Sequence, residues 1–211
     1  VPDRILRAMS LPTIDHRGPE FGVLGSKVLK DMQKIFQTQH PVMIYPASGT
    51  GAREAALVNT LSVGDHVLMY ETGQFATLWN KLATRLGIKT EFIGMPGLEG
   101  WRHGVQADMI EARLKADTNH SIKSVCVVHN ETSTGVTSDI PAVRRAMDNA
   151  KHPALLLVDT VSGLAAIDYR HDAWGVDVTV GGSQKGLMLP PGLGFNAISP
   201  KAIEASKKST M

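Results

Sequence analysis

One lysine, Lys185, stands in the stretch GGSQKGLMLPPGLG (residues 181–194) with no other charged residue beside it. An amine held among small or apolar neighbours gives up its proton more readily and becomes a nucleophile for a carbonyl. The glycines around it predict room for a bulky ligand to approach the backbone. Asp159 closes a second informative run, ALLLVD. A carboxylate at the end of a buried strand is costly unless a positive partner meets it, and a protonated heterocyclic nitrogen is one such partner. An N-cap or loop hydrogen bond is the plainer alternative.

PASGTGAREAAL (residues 46–57) places glycines and hydroxyl residues between an apolar run and a helical one. Free N–H groups and the dipole at a helix N-terminus favour an anion such as phosphate. The stretch lacks the Gly-Lys-Ser/Thr of a P-loop and the spacing of a dinucleotide fingerprint, so it fits one phosphate without a metal. Turn and cap roles for the same residues are the alternative. In HNETSTG (residues 129–135) Thr132 offers a hydroxyl for a phenolic oxygen, and Phe75 in ETGQF offers a face for stacking. His129 and His16 have no Cys, His or carboxylate cluster at ligand spacing, which argues against a metal site. A phosphate cradle, a carboxylate, a stacking aromatic and an amine are together the handles for pyridoxal 5'-phosphate: phosphate, ring nitrogen, ring face and aldehyde.

These groups need a scaffold that brings five loops together. The 211 residues are 43% hydrophobic and 20% charged, a globular composition with room for one large core. A net charge of +2, without a block of like charges, carries no nucleic-acid signature. No apolar run approaches membrane-spanning length and no signal peptide is apparent. The single cysteine, Cys126, lies in the apolar run SVCVVH, reads as buried filler and fits a reducing compartment. A cytoplasmic setting follows, or a peroxisomal one in a eukaryote.

Residues 1–20 read as an extended arm broken by a short helix near Ile5–Met9. From Phe21 to Gln37 the apolar residues Phe21, Leu24, Val28, Met32, Ile35 and Phe36 fall on one helical face. Short apolar runs then alternate with helical stretches, from VMIYPA through HVLMY, TEFIG, SVCVVH and ALLLVD to VDVTVGG. Strands apolar throughout, in βαβ order, predict an α/β fold with a mostly parallel sheet flanked by helices. Ligands bind such sheets in the crevice at the strands' carboxyl ends, where all five loops lie.

The strings DHRGPEF, SGTGA-x-EAALVNTLSVGD, HNETSTGV, LLLVDTVSG and GSQKGLMLPPGLG resemble the class V aminotransferases of fold type I, nearest the serine–glyoxylate and alanine–glyoxylate types. The resemblance implies that Lys185 and Asp159 are catalytic, Lys185 holding the cofactor's aldehyde and Asp159 its ring nitrogen. It further implies that Gln184 and the backbone of Thr50, Gly51 and Ala52 bind phosphate, that Val161 and Phe75 cover the two ring faces, and that Thr132 bonds the ring hydroxyl. The implied reaction moves an amino group from serine or alanine to glyoxylate or a related 2-oxo acid, giving glycine and hydroxypyruvate or pyruvate. A homodimer with the cofactor near the subunit interface is implied as well. Residues 21–211 would form the cofactor-binding large domain, with a smaller C-terminal domain lying outside the chain. Arg53 departs from the pattern, standing where relatives often carry an aromatic residue. Two other readings are a cysteine desulfurase or lyase of the same class, and an inactive α/β binding domain. Desulfurase-like relatives commonly have histidine before the lysine, whereas Gln184 stands here.

Overall fold

The computed structural model describes residues 1–95, 97 and 99–211. Seven strands form one sheet: β1 (Val42–Tyr45), β2 (His66–Glu71), β3 (Lys89–Gly94), β4 (Ile122–Val128), β5 (Leu155–Asp159), β6 (Val178–Gly182) and β7 (Gly194–Ile198). Their order across the sheet is β1-β7-β6-β5-β4-β2-β3. The pairs among β2 to β6 are parallel, and β7 runs antiparallel to both its neighbours, β1 and β6. This is the α/β architecture expected, with one strand in addition. Gly194 and Asn196 break the apolar run of GFNAI, so β7 lacks the pattern that marks the parallel strands.

Pleating explains how the central strands bury both faces. Val125 and Val127 of β4 join one apolar core with Leu156 and Val158 of β5, whereas Cys126 and Val128 join the other with Leu155 and Leu157. The first core is closed by helices α2 (Pro19–Phe36), α5 (Ala107–Ala116) and α6 (Ile140–Asn149). The second is closed by α3 (Gly49–Thr60), α4 (Gln74–Arg85) and α7 (Pro200–Ser206). Cys126 is buried, and that burial pushes its thiol up to about 12, in keeping with inert filler.

A short helix, α1 (Asp3–Met9), precedes α2. Helix α2 starts two residues before its apolar period, because Pro19 fits the first helical position and Gly18 precedes it extended. Its apolar stripe is only partly used: Met32 and Phe36 are buried, while Phe21, Leu24 and Val28 are 42%, 49% and 40% exposed. Eighteen residues span about 27 Å, and only the last turns of α2 reach the core. No helix among the described residues is long and apolar enough to cross a membrane.

Candidate active site

Thr50, Phe75, Thr132, Asp159, Val161, Gln184 and Lys185 line one pocket at the carboxyl ends of the parallel strands, with Gly49, Arg53, Asn130 and Ser162 among their neighbours. Five separate loops contribute, so the crevice brings together residues up to 137 positions apart in the chain (Ser48 to Lys185).

At one end lies the start of α3. The Ala52 N–H already closes the first helical bond, to the Ser48 carbonyl at 3.0 Å. Ala52 is fully buried with its N–H engaged, and the first-turn N–H groups preceding it belong to Gly49, Thr50 and Gly51. Gly49 is required sterically, since a Cβ there would sit 2.5 Å from a Val161 methyl carbon. Beside the cradle, the Gln184 carboxamide oxygen is buried without a partner. That oxygen is an acceptor and cannot meet an anion; the donors that suit a multi-oxygen anion here are the free helix N–H groups and the same side chain's Nε2.

Asp159 occupies the other end. It terminates β5 and is 2% exposed. Its Oδ1 accepts the Val161 N–H at 2.8 Å, and its Oδ2 accepts Arg53 Nε at 2.6 Å and a second bond from the same guanidinium. The positive partner demanded by the buried carboxylate is therefore present in the chain itself. Arg53, itself 5% exposed, lies with its guanidinium 5.4 Å from the centre of the Phe75 ring and 5.9 Å from that of Trp79. Its place beside Asp159, rather than at the phosphate end, is what the sequence could not reveal. On α3 it falls one turn after Thr50, a spacing that points both residues toward the same pocket.

Phe75 is held by a glutamate whose neighbour had drawn the sequence argument. Glu131 is fully buried, and its carboxylate accepts N–H bonds from Phe75 (3.1 Å), Ala76 (3.1 Å) and Ser133 (3.2 Å), together with the Ser133 hydroxyl at 2.8 Å. It thus caps α4 from another loop and complements the helix dipole. Gly73 makes the approach possible: its φ is 152°, and a Cβ there would meet Glu131 Cγ at 2.6 Å. The glutamate was visible in HNETSTG, but its partners are chosen by the packing of β4 beside β2.

Lys185 follows β6 in a loop closed on itself by Ser183, whose hydroxyl donates to the Pro190 carbonyl at 2.7 Å and accepts the Leu193 N–H at 3.3 Å. Lys185 is exposed, and among the described residues its amine has no hydrogen-bond or ion-pair partner. The glycine beside it serves the protein's own packing: a Cβ on Gly186 would lie 2.1 Å from the Leu164 carbonyl oxygen. Clearance for a ligand is therefore not what fixes that residue. Below Asp159 lies a buried polar layer. The His129 ring is 5.3 Å from that of Tyr169, the Tyr169 hydroxyl is 2.7 Å from Thr179 Oγ1, and His171 Nδ1 is 2.7 Å from the same oxygen. Burial lowers the basicity of His129 and brings His171 down to about 4.

An anion cradle, a buried carboxylate, an aromatic face and an accessible amine around one cavity can hold a flat phosphorylated ring and engage a carbonyl on it. Comparison with known proteins agrees with that chemistry. The chain is 49% identical to the L-aspartate–glyoxylate aminotransferase of Paracoccus denitrificans, over 97% of its own length and 51% of that protein's. It is 46% identical to the serine–glyoxylate aminotransferase of Arabidopsis thaliana, over 99% and 51%. The solved alanine–glyoxylate aminotransferase of a Nostoc species superposes with a TM-score of 0.88 at 30% identity, covering 99% of this chain and 53% of that one. The chain spans about half the length of these relatives. The family described as Aminotransferase class-V matches residues 10–211, and the chain belongs to that family.

Proposed function

We propose that the protein of which this chain is part is a pyridoxal-phosphate-dependent aminotransferase that moves the amino group of a small amino acid, serine or alanine, to glyoxylate or a related 2-oxo acid. The observation that carries this reading is the meeting of Lys185, Asp159 and the start of α3 in one pocket. Pyridoxal phosphate bound there supplies an aldehyde that takes up amino groups and a ring that accepts electrons from the substrate Cα.

The chain's residues supply the rest. The N–H groups of Gly49, Thr50 and Gly51, with Gln184, bind the phosphate. Asp159 holds a proton at the ring nitrogen, Thr132 bonds the ring hydroxyl, and Phe75 and Val161 cover the ring faces and exclude water. The Lys185 amine would hold the cofactor's aldehyde and would carry a proton to and from the substrate Cα. Gln184 before the lysine, and the glyoxylate-specific names of the relatives, support transamination over desulfuration.

Residues 21–211 form the cofactor-binding domain in this reading and residues 1–20 an arm. The exposed apolar face of α2 supports a homodimer, and the buried, unreactive Cys126 suits a cytoplasmic setting. The full-length protein, incubated with the cofactor and treated with borohydride, is expected to carry a stable adduct on the peptide containing Lys185. With serine and glyoxylate it is expected to yield hydroxypyruvate and glycine. Aspartate as the preferred donor would redirect the substrate assignment, and sulfide release from cysteine without transamination would overturn it. Leu24→Asp, on that face, should shift the sedimenting species from dimer to monomer.

A further inference from the structure

We propose that Arg53 is a positioning residue that serves as counter-ion to Asp159 in the cofactor-free protein and, once pyridoxal phosphate is bound, competes with the ring nitrogen for that carboxylate. The inference rests on the cofactor reading above and goes beyond it, because that reading assigns Arg53 no part.

Three observations meet at this residue. Both oxygens of Asp159 are engaged, Oδ1 by the Val161 N–H and Oδ2 by the Arg53 guanidinium. Both side chains are withdrawn from solvent, at 6% and 3% exposure, where a charge without its partner is strongly unfavourable. The guanidinium is also fixed from its other side by Phe75 and Trp79, so it cannot swing away freely.

A ring nitrogen arriving at Asp159 therefore meets a carboxylate whose charge is already matched. An ionised carboxylate has acceptor sites for both partners, but the pair then becomes two cations around one anion. Arginine does not give up its proton under such pressure. The proton at the ring nitrogen is the one held less firmly, since a like charge close by disfavours the protonated form. Arg53 thus fixes the carboxylate's orientation and moderates how strongly the ring is held and how far it is protonated.

The test uses the full-length protein, with pyridoxal phosphate labelled with nitrogen-15 at the ring. Wild type, Arg53→Met, Asp159→Asn and the double variant are melted without cofactor, and the cofactor is then titrated into each. Arg53→Met alone should melt several degrees lower than wild type, and the double variant should recover part of that loss, because no lone carboxylate is left buried. With cofactor, Arg53→Met should bind on the order of tenfold more tightly than wild type, and its ring-nitrogen resonance should move toward the protonated position. Arg53→Lys, which keeps the charge, should leave that resonance near the wild-type value. Should the methionine variant not fold, Arg53→Gln carries the same expectations for binding and resonance. Additive melting temperatures, or equal cofactor affinity and an unmoved resonance in the neutral variants, would overturn the proposal while leaving the cofactor reading intact. A wild-type protein that takes up no cofactor would overturn both.

Discussion

Asp159 and Lys185 sit at the ends of adjacent parallel strands and line the same pocket, yet the fold treats them in opposite ways. Asp159 is buried, with both oxygens bonded, whereas Lys185 is exposed and its amine meets no partner among the described residues. The carboxylate is part of the structure before any ligand arrives. The lysine is held in place only through its backbone, by the Ser183 closure of its loop. Function and stability should therefore separate at one residue and coincide at the other. The largest expected effect is at Lys185: in the full-length protein Lys185→Ala should lower kcat on the order of 10³-fold or more, and change unfolding free energy by no more than about 0.5 kcal/mol. A matching fall in denaturant midpoint would break the contrast.

Asp159→Asn should do both kinds of damage. The amide keeps an acceptor for the Val161 N–H but leaves the Arg53 guanidinium buried without its counter-ion, at a cost of about 3–5 kcal/mol. Turnover should also fall steeply, with some cofactor retained. Urea unfolding and steady-state rates, taken on the same preparation, report the two losses separately.

How much of this was legible beforehand follows the same division. The central strands β2, β4, β5 and β6 were readable because burial on both faces writes an apolar run, and the edge strands β1 and β3, only partly buried, were readable as short apolar runs between helical stretches; every loop that lines the pocket lies at the end of a strand. Lys185 and Asp159 stood out as charges where apolar runs stop. What the sequence could not show were the partners: Arg53 for Asp159 is 106 residues away, and Glu131 for the α4 N-terminus is 55 residues from Ala76. Such pairings are decided by sheet order. Helix α2 illustrates the converse, since its period correctly predicts a helix but not that half of its apolar face stays outside this core. Periodicity records which residues share a face, and only the neighbouring elements decide whether that face is covered.

The contrast sharpens under acid, because the ground beneath Asp159 contains imidazoles and the Lys185 loop does not. His171 is fully buried beside Thr179, and burial holds its basicity down to about 4 against an ordinary 6.5. The unfolded chain then binds the proton that the folded chain refuses. Stability from this residue is complete above about pH 6.5 and declines as the pH falls toward 4, by roughly 3 kcal/mol in all. Thermal melts across that range should show the decline, and His171→Gln should flatten it. A slope unchanged by that substitution would assign the acid sensitivity elsewhere.

The smallest effect is expected at Glu131, which touches neither charge of the pair but fixes the backbone of Phe75, whose ring packs on the Arg53 guanidinium. Glu131→Ala strips acceptors from the N–H groups of Phe75, Ala76 and Ser133. Part of that loss is offset by water entering at the helix end, so the cost should be about 2 kcal/mol, and about half of that for Glu131→Gln, which keeps one acceptor oxygen. The local signature is more informative than the total. Amide exchange should accelerate at Phe75 and Ala76, while the Leu193 amide, tied to Ser183 in the lysine loop, keeps its wild-type rate. If both loops loosened together, the pocket would be one cooperative unit, and the division between a preformed carboxylate side and an independently held lysine would fail.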